Sequence, residues 1–220
     1  TPDQVEAVAA QLYVEMLEAG FSRVGEFHYL HHDRDGTPYG NIAEMAERIA
    51  AAAAETGIGL TLLPVFYAHS SFGGAAPNEG QRRFINDVNR FQRLVEKSRE
   101  SVRALNQAVL GVAPHSLRAA TPEELDAVAA LAPEGPIHIH VAEQVKEVED
   151  CLAWSGARPV EFLLGHAKVD QRWCLIHATH MTEAETVAMA KSGAIAGLCP
   201  ITEANLGDGT FAAPLFIENG

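Results

Sequence analysis

The 220 residues are 47% hydrophobic, enough for one well-buried domain and within the range of a single α/β barrel. Sixteen Lys and Arg against twenty-nine Asp and Glu leave a formal charge of −13 with no basic cluster, which argues against nucleic acid and anionic membrane as partners. Three cysteines, Cys151, Cys174 and Cys199, are odd in number and widely spaced without a C-x-x-C, so a disulfide framework or structural zinc finger is not expected. We expect reduced thiols in a cytoplasmic protein, and no apolar run reaches the length of a membrane span.

The chain opens on T-P-D-Q, a helix start rather than a signal peptide, and the lack of an initiator Met is expected of a fragment or a trimmed chain. Apolar residues at Val5, Val8, Leu12 and Met16 predict an amphipathic helix over residues 1–19, stopped by Gly20. Val24 to Leu30 reads as a strand, and His31, His32 and Asp33 follow as a solvated polar loop. A second helix over 42–55 is closed by Gly57, and a strand over 59–67 leads into a loop through Gly80. Helical spacing runs over 81–106, and a short strand over 109–114 ends in His115-Ser116.

Thr121-Pro122-Glu123-Glu124 is a capping box that opens a helix to Leu131. After the strand near Ile137 come helices over 144–155 and 159–164, a strand over 172–177, and a helix capped by Thr182 with Glu185. The last strand spans 194–198, followed by Cys199-Pro200 and a Gly-rich tail. Strands alternating with helices predict a parallel sheet, whose carboxyl ends are the functional face. Tyr29, Tyr67, His69, His115, His140, Glu143, His177 and Thr202 all fall near strand ends. Such a convergence of ionisable groups favours an enzyme over a binding module.

The stretch P-I-H-I-H-V-A-E-Q at 136–144 carries the densest chemistry. With a side-chain period of two, His138 and His140 share one face and Ile137 and Ile139 the other. Glu143 then points away from His140 unless the chain bends around Val141 and Ala142. A His with a carboxylate beside it suits a metal site, and the same residues equally fit a core histidine next to a solvated Glu. On spacing alone His115 and Arg118 fit a surface loop and Tyr29 an aromatic at the strand rim. His166 reads as surface and Cys199 as a packed thiol, while His69 and His180 are candidates to support the site.

H-V-A-E-Q with L-I-H-A-T-H at 175–180 resembles the amidohydrolase superfamily, in its deaminase branch. E-F-H-Y-L-H-H-D at 26–33, A-P-H-S-L-R-A at 113–119, H-A-T-H-M-T at 177–182 and T-E-A-N-L-G-D-G at 202–209 narrow the resemblance to the formimidoylglutamate deiminases. The match runs along nearly the whole chain. It implies that residues 1–220 are one metal-dependent hydrolase domain, covering about six of the eight βα units of a (β/α)8 TIM-like barrel. It also implies one divalent metal, usually Zn2+, hydrolysis of N-formimidoyl-L-glutamate to N-formyl-L-glutamate and ammonia, and a homodimer.

Residue by residue, the resemblance makes His140 a metal ligand, Glu143 the proton-transferring carboxylate and His177 the histidine beside the activated water. Tyr29, His115 and Arg118 fall on its substrate-holding positions. A strand-one H-x-H and a strand-eight Asp, the remaining metal ligands, are expected outside the sequence. Ile201 stands where the family pattern has a hydroxyl residue. Two rivals remain: an aminohydrolase acting on a heterocyclic amine such as guanine, and a catalytically silent barrel binding a small acidic metabolite.

Overall fold

The computed structural model describes all 220 residues. Helix α1 (Pro2–Glu18) begins on a capping box between Thr1 and Gln4 and packs on α2 (Glu44–Thr56), which ends on left-handed Gly57. Between them lies strand β1 (Arg23–His28), which pairs in parallel with β2 (Gly59–Phe66). The fully buried Tyr13 hydroxyl donates to Glu26 Oε2 at 2.8 Å, tying α1 to the outer side of β1. A 3-10 turn (Glu79–Gln81) precedes α3 (Val88–Val102), and β3 (Ala108–Leu110) and β4 (Ala113–Pro114) follow.

The remaining elements are α4 (Pro122–Ala130), β5 (Ile137–Val141), α5 (Val145–Ser155), α6 (Pro159–His166), β6 (Trp173–His177), α7 (Glu183–Ser192), β7 (Ile195–Gly197), α8 (Pro200–Leu206) and α9 (Ala213–Asn219). Every strand pairing is parallel. β3 and β4 pair with β2 in one register, Leu62 against Leu110 and Val65 against Ala113, so they form a single stave interrupted at Gly111. Gly111 is required there because a Cβ would strike the Pro136 carbonyl and come within 2.8 Å of Leu63 Cδ2. The Val112–Ile137 bridge joins that stave to β5, and β5, β6 and β7 continue in order. The strands are thus six staves of an open, curved parallel sheet with helices outside.

Alternation along the staves separates two apolar layers. Leu60, Leu62 and Phe66 of β2, the isoleucines of β5, and Trp173 and Leu175 of β6 belong to the large cluster under the helices. Leu63, Val65 and Ala113 form a small inner cluster against Phe27 and Tyr29. His138 and His140 face this inner side, with ring centroids 5.7 and 4.5 Å from Phe27.

Four expectations are corrected. His31 and His32 are fully buried rather than solvated: both backbone N–H groups donate to the Arg83 carbonyl, and their Nε2 atoms meet the Val65 and Ile85 carbonyls at 2.9 Å. The segment 83–86 therefore folds over them, and Asp33 alone stays exposed. The third helix begins only at Val88, because the Asp87 side chain caps it by accepting from Arg90 N–H. The Gly-rich tail contains α8 and α9. Thr202 is exposed and sits inside α8, past the end of β7 rather than at it.

Burial pushes the His28 imidazole down to about 4 and, with the neighbouring His28, holds His31 well below its usual value. Histidines in the unfolded chain titrate near about 6.5. As pH falls from about 6.5 towards about 4, the unfolded chain binds protons that the native protein refuses, so native stability falls. The slope reaches up to about 1.4 kcal/mol per pH unit for each histidine. Urea unfolding midpoints measured from about pH 8 to about pH 5 should be level above neutrality and drop below it, and His28→Leu should flatten the drop.

Candidate active site

The inner mouth of the sheet collects the aromatic and ionisable side chains in one arc. Ring centroids step from Tyr67 to His115 at 4.6 Å, from Tyr29 to His115 at 5.7 Å, from His115 to His140 at 5.0 Å and from His140 to His177 at 5.7 Å. Each comes from the carboxyl end of a different stave, as parallel βα architecture dictates. His140 Nδ1 lies 2.9 Å from the His115 carbonyl, so the proton sits on Nδ1 and the Nε2 lone pair is free. Burial pushes His140 down to about 4 and His115 to about 3, so both imidazoles are neutral at pH 7.

Glu143 and His177 reach this arc against strand parity. Counting by two, His177 belongs with Trp173 and Leu175 on the helix-facing side, and Glu143 belongs with Ile139 and Val141. Non-glycine residues in the left-handed region reverse both: Ala142 at φ 52° after β5, and His177 at φ 70° with Ala178 at φ 47° at the end of β6. The result places Glu143 Oε1 3.4 Å from His177 Nε2. The bend expected at Val141 and Ala142 is present, while the matching bend at His177 carries no sequence signal.

The two bends are tied together and capped. Ala178 N–H donates to the Val141 carbonyl at 3.0 Å and His180 N–H to the Ala142 carbonyl at 2.9 Å. The buried Glu147 carboxylate accepts from Ala142 N–H on Oε1 and from Glu143 N–H on Oε2, both at 3.0 Å. Burial pushes the Glu147 carboxyl up, opposed by nearby Arg118 and the two backbone donors. On the β6 side Arg158 donates to the His180 carbonyl at 2.6 Å and pairs with buried Glu185. Glu147 and Glu185 each stand at the third position of a helix, where a carboxylate reaches back to unpaired N–H groups. That position was the available signal for Glu147.

Arg118 lies close enough to Tyr29, His115, His140 and Glu147 to perturb all four, yet no carboxylate comes within 4.0 Å of its guanidinium. Burial pushes the Tyr29 hydroxyl up, with Tyr67 and Glu143 adding to it. His69 is drawn aside by Glu124 at 2.9 Å, and His180 acts through its backbone. His166 is exposed, stacked on Phe162. His177 Nδ1 faces Glu203 Oε1 at 3.1 Å, and with Cys199 these donors lie within 4.8 Å of one another. Burial and the Glu203 and Glu143 carboxylates push the Cys199 thiol up.

The chain matches the Amidohydrolase family over residues 1–220. It is 54% identical to a formimidoylglutamate deiminase of Pseudomonas aeruginosa, covering 100% of this chain and 49% of that protein. An amidohydrolase from Brucella melitensis superposes with a TM-score of 0.98 at 72% identity, over 100% of this chain and 49% of the other. An atrazine chlorohydrolase from Arthrobacter aurescens, solved in complex with zinc, shares the fold alone: 19% identity and a TM-score of 0.84, over 100% and 48%. The chain spans about half the length of the relatives it matches.

Glu147→Gln sets an amide donor against one of two backbone donors. It is expected to lower stability by about 1–3 kcal/mol in urea unfolding. An unchanged midpoint would show that the turn holds without its carboxylate.

Proposed function

The chain belongs to the amidohydrolase family, and from that premise we propose that a protein carrying it hydrolyses the formimino C–N bond of N-formimidoyl-L-glutamate. The products are N-formyl-L-glutamate and ammonia. The observation that carries the substrate assignment is Arg118, a guanidinium at the mouth with no carboxylate partner in the chain. A dicarboxylate supplies one in planar, bidentate geometry, whereas a neutral heterocyclic amine would leave the guanidinium unpaired. Tyr29 and His115, 5.7 Å apart between ring centroids and both within reach of the Arg118 charge, complete the proposed substrate-binding set. The identity to the Pseudomonas aeruginosa deiminase supports the reading.

His140 fits one ligand of a divalent metal. It is neutral at pH 7, and the His115 carbonyl holds its proton on Nδ1, which leaves Nε2 for the ion. A catalytic zinc normally takes three protein ligands, so the proposal requires further ligands from beyond residues 1–220. When bound, such a metal polarises the substrate and makes a water acidic enough to ionise near neutrality.

Glu143 takes the proton of the attacking water as its oxygen adds to the formimino carbon. It returns that proton to the terminal nitrogen, carries the adduct's remaining hydroxyl proton to the same nitrogen, and that C–N bond breaks to release ammonia and leave the formyl C=O. His177 Nε2, at 3.4 Å from Glu143 Oε1, faces the same water and orients it by accepting from its other O–H. Burial keeps the imidazoles of His115 and His140 beside them neutral at pH 7. The free thiols of Cys151, Cys174 and Cys199 support a reducing, cytoplasmic setting, and the homodimer rests on the resemblance alone.

The test is ammonia release by the full-length, zinc-loaded protein from N-formimidoyl-L-glutamate and, separately, from guanine. Activity is expected on the formimino acid alone. Glu143→Gln should lower kcat by about 10²–10⁴-fold, and Arg118→Met should act mainly by raising KM. Activity confined to guanine would overturn the substrate assignment.

A further inference from the structure

The His177 ring has two carboxylates, one on each nitrogen. Nε2 faces Glu143, and Nδ1 faces Glu203 Oε1 at 3.1 Å. Glu203 stands on α8, the helix that follows β7, and the acid-base chemistry above makes no use of it. Its side chain is 7% exposed, a costly place for a carboxylate without donors. The structure supplies two, and they converge on one oxygen: Cys199 N–H at 2.9 Å and the His177 ring at 3.1 Å. The backbone fixes the helix turn that carries it, with Glu203 N–H donating to the Cys199 carbonyl and Asp208 N–H to the Glu203 carbonyl, both at 2.9 Å. As a carboxylate Glu203 can only accept, so the ring nitrogen is the donor.

We propose that Glu203 is the positioning residue for His177: it holds the ring proton on Nδ1 and thereby presents the Nε2 lone pair to the reacting water that Glu143 deprotonates. The inference rests on the reading of Glu143 and His177 as the acid-base pair and extends it by one residue. An imidazole without a partner on Nδ1 is free to place its proton on Nε2, where it would block the lone pair facing the mouth. Glu203 therefore acts through His177 and not on the substrate.

The experiment uses the full-length protein labelled with 15N, in Glu203→Met, which removes both acceptor oxygens, and Glu203→Gln, which keeps one oxygen without the charge. His177→Asn assigns the ring signals. Long-range 1H–15N correlation should find His177 protonated on Nδ1 in the parent and in Glu203→Gln, and on Nε2 in Glu203→Met. For ammonia release, kcat should fall by about 10–100-fold in Glu203→Met with KM nearly unchanged, and less in Glu203→Gln. An Nδ1 proton that stays in place in Glu203→Met, or a kcat equal to the parent's, overturns the proposal. The ring signal needs no substrate. A tautomer switch in a protein inactive on N-formimidoyl-L-glutamate would support Glu203 and reject the substrate assignment. Should Glu203→Met fail to fold, Glu203→Gln decides: a kcat identical to the parent's overturns the proposal, and a reduced one with the ring proton still on Nδ1 supports it.

Discussion

The site depends on left-handed backbone at three non-glycine residues, Ala142, His177 and Ala178. Each such residue costs on the order of 1–3 kcal/mol and persists only where its surroundings hold it. Here the holding groups are identifiable. The Glu147 carboxylate receives both N–H groups of the Ala142 turn, and the two bent strand ends hydrogen-bond to each other. Without the bends, strand parity would send Glu143 and His177 outward under the helices, where Trp173 and Leu175 pack. With them, a carboxylate and an imidazole meet at 3.4 Å beside His140. The strain is what turns an ordinary pair of parallel staves into the proposed acid-base site.

Electrostatics follows the same local logic. The chain carries a net charge of −13, which by itself repels a dicarboxylate. Arg118 reverses that at one point, and the histidines around it do not compete, because burial keeps His115 and His140 uncharged. A neutral His140 also keeps a lone pair for a metal. One physical cause, desolvation at the inner face, thus serves both the proposed ligand and the proposed substrate cation.

Much of the architecture was legible because each element carries local punctuation. Capping boxes at Thr121 and Thr182 and the left-handed stop at Gly57 mark helices where the structure has them. The inner face of β5 followed from period two, and parity alone demanded the bend before Glu143. The same arithmetic at His177 would have demanded a second bend, but β6 is buried on every residue and hides its parity. The burial of His31 and His32 was illegible because it depends on carbonyls of Val65, Arg83 and Ile85, far along the chain. Glu203 lay inside a motif that carried the family resemblance, yet its partner is 26 residues away in sequence and only the fold brings them together.

The central claim is that the inner arc, with His140 as ligand, is the reaction centre. Anomalous diffraction at the zinc edge, on crystals of the full-length protein soaked with zinc and N-formyl-L-glutamate, tests it directly. The account predicts zinc at about 2.0–2.1 Å from His140 Nε2 and a product carboxylate on the Arg118 guanidinium. Zinc seated instead on His177, Cys199 and Glu203, with Arg118 still unpaired, would contradict it.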